Sequence, residues 1–178
     1  PSGGAAALVL ERYDIAKQRG AKILGEIIAY GFSSDGTHIS VPSHEGLTTV
    51  MQKALERANL RPSEIDYISA HATSTPVGDS IEAQSITAVF GEKTPWVSSL
   101  KSMVGHELWM AGASSVIYST IMAQEAFIAK NLNFEAPDED SKKLNIVTET
   151  INKAPETILC NSAGFGGTNS CIILRCSE

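Results

Sequence analysis

Ile65–Phe90, IDYISAHATSTPVGDSIEAQSITAVF, decides the architecture. Its opening, Ile65–Ala70, is a short apolar run of the kind a sheet buries, and Asp79 with Glu82 makes a capping-box-like start for a helix that runs to Phe90 and stops at Gly91. Strand, polar loop and helix in that order make one βα unit.

The same alternation extends outward on both sides. Upstream, Ser43 after Pro42 predicts an N-cap, and Leu47, Val50, Met51, Ala54, Leu55 and Ala58 then fall on one helical face until Asn59, before Pro62. The SSDG turn at Ser33–Gly36 separates this helix from a strand over Ile23–Ser33. Further back, Ala5–Leu10 reads as a short strand and Arg12–Arg19 as a helix ending at Gly20. Downstream, Trp96–Leu100 predicts a strand. Leu108–Gln124 carries no charge but is full of Gly, Ala, Ser and Thr, which suits a central helix packed on all sides. A polar loop over Asn133–Lys143 precedes strands at Asn145–Thr148, Thr157–Asn161 and Cys171–Arg175, the last two joined by a glycine-rich turn. The fold class is α/β, a sheet covered by helices.

Composition narrows the function classes. At 178 residues and 43% hydrophobic the chain can bury a sizeable core, and a net charge of −6 without a basic cluster argues against nucleic acid and anionic membranes as partners. Three cysteines, Cys160, Cys171 and Cys176, are an odd count with no C-x-x-C pair, which argues against a disulfide framework and a zinc site and fits a reducing cytosol. The opening PSGGAAALVLERYD lacks the charges and length of a signal peptide or membrane span and reads as a chain cut within a strand.

Three loops after strands carry polar residues that the alternation does not need, and α/β sheets bind ligands at the carboxyl ends of their strands. In the first, His71–Asp79, an imidazole with a near-neutral pKa can face a pocket and the hydroxyls of Thr73 and Thr75 can orient a polar ligand; the plain alternative is a turn capping the next helix. The second, Ser98–His106, brings Lys101 and His106 ahead of a helix with no charge but Glu107, either as a pocket that accepts a buried ammonium or as a solvated surface loop. The third, Asn161–Asn169, sets three glycines around Phe165, as an oxyanion-binding loop or as a bulged hairpin. Two histidines, a lysine and a donor loop form an acid–base and oxyanion set without a nucleophile. No cysteine sits at a strand-to-helix elbow, where a reactive thiol is expected.

HATSTPVGDSIEAQ, VSSLKSMVGH and CNSAGFGGTN, in this order, closely resemble the C-terminal half of the β-ketoacyl-acyl carrier protein synthases, the decarboxylating condensing enzymes of the thiolase superfamily. The resemblance extends over nearly the whole chain. It implies a thiolase-like half, a mixed five-stranded sheet of βαβαβαββ order over residues 23–178, with residues 1–22 as the closing strand and helix of the N-terminal half. That half carries the nucleophilic cysteine of the family, so this segment alone is expected to be inactive.

The implied reaction extends a cysteine-bound acyl group by two carbons from malonyl-acyl carrier protein, with loss of carbon dioxide, in fatty-acid or polyketide-type synthesis. His71 and His106 match the two active-site histidines, Lys101 the ordering lysine, and Phe165 the residue whose N–H shares the oxyanion hole and whose ring gates the acyl pocket. Thr73 and Thr75 match residues that bind the phosphopantetheine arm; Gly164 and Gly166 flank that substrate, and Asp79 and Glu82 support the loops. The resemblance further implies acyl carrier protein and the N-terminal half as partners, a homodimer at full length, a cytoplasmic location, no metal, and no cofactor beyond the carrier's phosphopantetheine. A non-catalytic chain-length-determining subunit of the same fold is the alternative. A thiolase-like enzyme acting on coenzyme A thioesters is disfavoured by the His-plus-Lys loop set. Departures from the family pattern cluster near the pocket: Leu100 and Val104 replace Thr, Trp109 and Met110 replace Gly and Ala, and Ala163 replaces a Phe.

Overall fold

The computed structural model describes residues 1–176. In chain order the elements are α1 (Tyr13–Gln18), β1 (Glu26–Ser34), α2 (His44–Ala58), β2 (Tyr67–Ser69), α3 (Pro76–Phe90), β3 (Trp96–Ser98), α4 (Lys101–Val104), α5 (Ala111–Gln124), β4 (Asn145–Ile146), β5 (Thr157–Gly164) and β6 (Thr168–Arg175). The strands form one six-stranded mixed sheet in the order β1-β6-β5-β2-β3-β4. The sixth strand, beyond the five that the resemblance implies, is the two-residue edge strand β4, which lies within the strand read from the sequence at Asn145–Thr148, pairs parallel to β3 and inserts one β into the implied order.

The period-2 alternation of the central strands divides the core into two layers. Ile68, Leu159, Cys171 and Ile173 face α2 and α3, where Val50, Met51, Ala54, Leu55 and Ile86 close over them. Tyr67, Ile158, Cys160 and Leu174 face the other way, toward Val116, Met122 and Ala123 of α5. α2 forms where its spacing predicts it. The Ser43 hydroxyl accepts the Gly46 N–H at 2.8 Å, and Asn59 ends the helix in the left-handed region at φ 53°.

Several boundaries differ from the sequence expectation, each for a local reason. α3 begins at Pro76 with Thr75 as its N-cap, not at Asp79, because a proline with no N–H to satisfy suits the first turn. Asp79 then turns its carboxylate back to the Thr75 N–H, and Glu82 leaves the helix end altogether. Ala5–Leu10 is not a strand: no strand among the described residues lies beside it, and Val9 and Leu10 are 98% and 71% exposed. The expected helix over Leu108–Gln124 is split, a 3-10 turn at Leu108–Met110 preceding α5. One flank of α5 is also open, with Ile121 46% exposed, so the helix is not packed on all sides within the described residues.

What positions the site is strand direction. β2 runs parallel to both β3 and β5, with Ser69 opposite Ser98 and Cys160. The chain therefore leaves all three strands at the same edge of the sheet, and the three polar loops emerge side by side.

Candidate active site

His71 follows β2 by two residues, and its peptide group is held at both ends. Its N–H donates to Glu82 Oε1 at 2.9 Å, while its carbonyl oxygen accepts from Lys101 Nζ at 2.5 Å. The other Glu82 oxygen takes the Ala72 N–H at 2.7 Å, and Asn161 Nδ2 donates to Oε1 at 3.3 Å. Residues from the first and third loops thus meet around one buried carboxylate, and the second loop joins them through the His71 carbonyl. A second tie joins the first two loops, from the Ser99 hydroxyl to the Ala72 carbonyl at 3.1 Å. Lys101 and Glu82 make no direct ion pair; they are linked through the His71 peptide, and each still favours the charged form of the other.

The imidazoles of His71 and His106 pack edge to face, their ring centres 5.6 Å apart and their planes at 86°. Burial first, then the positive charge of Lys101 and the neighbouring His106, push the His71 pKa down to about 3. The ring is therefore neutral at physiological pH and titrates far below the near-neutral range expected from the loop alone. His106 is lowered by the same causes, burial ahead of Lys101, with Glu107 opposing. Its Nδ1 accepts the Leu108 N–H at 3.2 Å, which leaves the proton of the neutral ring on Nε2. Lys101 is lowered mainly by burial, against the raising charges of Glu82, Glu107 and Asp79; burial raises Glu82, against the two N–H groups it accepts.

Of its two sequence readings the glycine-rich loop takes the hairpin form. β5 and β6 do form a hairpin, and at its turn Gly166 and Gly167 take φ of 84° and 79°, a region costly for any other residue. The Gly166 N–H is spent on the Ile39 carbonyl at 2.7 Å and the Gly167 N–H on Gly164, so neither is free to bind an oxyanion. Phe165 donates in no hydrogen bond among the described residues, and its ring is 84% exposed. Gly164 closes β5 opposite Thr168. Thr73 and Thr75 pair their hydroxyls at 3.2 Å on the outer side of the first loop.

None of the cysteines is poised as a nucleophile. Burial drives Cys160 up to about 11 and Cys171 well above the ordinary thiol range, and it raises Cys176 as well. No group of three metal-ligating His, Cys, Asp or Glu side chains exists among the described residues. Sequence reasoning gave no role to Asn161, which joins the third loop to Glu82 and keeps its own Oδ1 buried without a partner. Its position at the first residue of that loop was visible; its reach across to α3 was not.

The profile of the family described as "Beta-ketoacyl synthase, C-terminal domain" matches residues 24–135. The 3-oxoacyl-[acyl-carrier-protein] synthase 1 of Escherichia coli (strain K12) is 44% identical over 174 residues, which are 98% of this chain and 42% of that protein. The chain thus spans less than half the length of this curated relative. A β-ketoacyl synthase from Burkholderia phymatum superposes with a TM-score of 0.90 at 37% identity, covering 94% of this chain and 41% of that one. A type II PKS acyl-carrier protein in complex with its ketosynthase superposes with a TM-score of 0.87 at 31% identity, covering 93% and 41%. The chain belongs to the β-ketoacyl synthase family, as its C-terminal domain.

Proposed function

We propose that this chain is the C-terminal part of a 3-oxoacyl-[acyl-carrier-protein] synthase, which joins a cysteine-bound acyl group to malonyl-acyl carrier protein in fatty-acid or polyketide-type elongation. The observation that carries the reading is the edge-to-face pair of neutral imidazoles, with the His71 peptide fixed by Glu82 and Lys101. In the reaction the bond between the malonyl methylene and its carboxylate breaks, and the electron pair moves into the thioester as an enolate. Imidazole N–H groups donate to the enolate oxygen, where charge appears chiefly in the transition state. The carbanion carbon then attacks the acyl thioester carbonyl, a new C–C bond forms, and the cysteine leaves as thiolate. The Phe165 N–H is the donor of this loop left for the second oxyanion.

Residues 1–22 would belong to the N-terminal half and residues 23–178 to the C-terminal one. The nucleophilic sulfur would come from that N-terminal half, since burial holds the thiols of this chain protonated. Thr73 and Thr75 would hydrogen-bond the phosphopantetheine arm, beside Gly164 and Gly166, with Asp79 and Glu82 as supports. The partners would be acyl carrier protein, the remainder of the synthase and a second copy of it, in the cytoplasm. The chemistry calls for no redox or nucleotide cofactor and no metal.

The test is condensation of acyl and malonyl thioesters by the longer protein carrying this chain. Activity is expected there and none from the 178 residues alone, with His71→Ala or His106→Ala slowing the longer protein by about 100-fold or more. Full activity in both histidine variants would refute the proposal. An inactive longer protein that changes the product length of a partner synthase would favour the chain-length-determining alternative.

A further inference from the structure

We infer that Glu107 is a positioning residue of this site, whose pinned carboxylate shares a small cavity with Lys101 and supplies the negative charge acting on both Lys101 and the adjoining His106. The inference rests on the proposed reaction for its role and on the geometry for its existence. Glu107 follows His106 directly, and its two carboxylate oxygens are held by two hydroxyls one helical turn apart on α5, Ser114 Oγ and Tyr118 O–H, the latter at 3.0 Å. Ser114 is buried, and its one hydroxyl proton faces the Glu107 carboxylate with the Ala111 carbonyl, 3.2 Å from Oγ, as the longer alternative acceptor.

Lys101, Glu107, Ser69, Ser114, Ser115 and Tyr118 line a cavity of ≈ 20 Å³, about the space of one water molecule. Two of its lining hydroxyls, those of Ser69 and Ser115, pair at 2.7 Å and join the end of β2 to α5. Glu82, the other carboxylate near Lys101, already accepts from two backbone N–H groups and from Asn161. Among the described residues, Glu107 accepts only from the two α5 hydroxyls. The charged and titratable groups facing Lys101 are Glu82 and Asp79 of α3, Glu107, and the two histidines. Those facing His106 are Lys101, His71 and Glu107, and of these Glu107 alone favours the protonated ring.

Removing the carboxylate charge therefore lowers the ionisations of both His106 and Lys101. In the longer protein carrying this chain, Glu107→Gln is expected to drop the His106 ring titration, followed by NMR, by about half a pH unit or more. The limbs of the condensation pH profile move down with it, while KM for the malonyl thioester stays within about twofold. Glu107→Asp keeps the charge and is expected to return the titration at least halfway, which a merely space-filling role would not do. An unchanged His106 titration in folded Glu107→Gln protein overturns the inference. Where that variant does not fold, Glu107→Ser is read in its place: its hydroxyl can still pair with Ser114 and it carries no charge, so the titration falls in the same direction, and an unchanged one is equally fatal. The ring titration is independent of turnover, so an inactive parent protein defeats the proposed reaction and leaves this inference to be decided by NMR.

Discussion

At the scale of single residues, the site is governed by which groups are kept from ionising. His71 is neutral because burial and the Lys101 ammonium both oppose a second positive charge. That has a consequence for stability whose sign is fixed by linkage. The folded pKa lies at about 3, below the ordinary 6.5, so between those values the unfolded chain binds a proton that the folded one refuses. Stability therefore falls as pH drops through this window and is unaffected by His71 above it. Denaturant unfolding at pH 7.5 and pH 5 is expected to show the parent protein losing about 1–2 kcal/mol more than His71→Gln over that interval. Equal losses would mean that the ring protonates in the fold. The identity of these residues was legible in sequence because a histidine, a lysine and a second histidine stand where strand and helix patterning asks for none. Their ionisation was not. Burial of His71 depends on Lys101 and His106, 30 and 35 positions away, and no local pattern reports it.

At the scale of elements, periodic segments were readable and the joins between them were not. α2 lies where its apolar spacing and its Ser43 cap put it, because packing and capping there agree. α3 begins three residues earlier than its acidic pair suggested, since Pro76 starts the helix and Glu82 is drawn off to two N–H groups of the preceding loop. Ala5–Leu10 shows the limit from the other side: an apolar run is only a strand when another strand lies beside it, which composition alone does not tell. A further constraint that spacing hides is the closeness of α2 to β1. A Cβ added at Gly31 would fall on the Val50 carbonyl oxygen and within 3.3 Å of Ala54 Cβ, so neither the helix backbone nor a flexible side chain end can yield. Gly31→Ala is expected to destabilise the protein by about 1–3 kcal/mol in denaturant titration, whereas Gly36→Ser, at a turn with open space but a left-handed φ of 63°, should cost only about 1 kcal/mol. Reversal of that order would place the α2–β1 contact elsewhere.

At the scale of the whole molecule, the sheet is covered by α2 and α3 on one face and only partly by α5 on the other. The burial pattern of β1 alternates so that Ala29, Gly31 and Ser33 turn inward under α2 while Tyr30 and Phe32 stand 45% and 47% exposed. Leu24 and Ile121, 50% and 46% exposed, extend the apolar character of the open side, and the Gln124 amide reaches back to the Leu24 carbonyl at 3.2 Å. Trp109, at 99%, and Phe165 add two further uncovered aromatic rings on the loops. Large contiguous apolar patches are uncommon on monomeric proteins and signal contact with something else. The chain spans about two fifths of its relatives' length, and under the proposed function the remainder of the synthase would cover this face. The 178-residue chain alone is therefore expected to bind a hydrophobic dye strongly, and Tyr30→Lys with Phe32→Lys should cut that signal by about half while the far-UV circular dichroism is preserved. Dye binding that survives the double substitution unchanged would locate the sticky surface away from β1 and leave Trp109 and the glycine-rich turn to account for it.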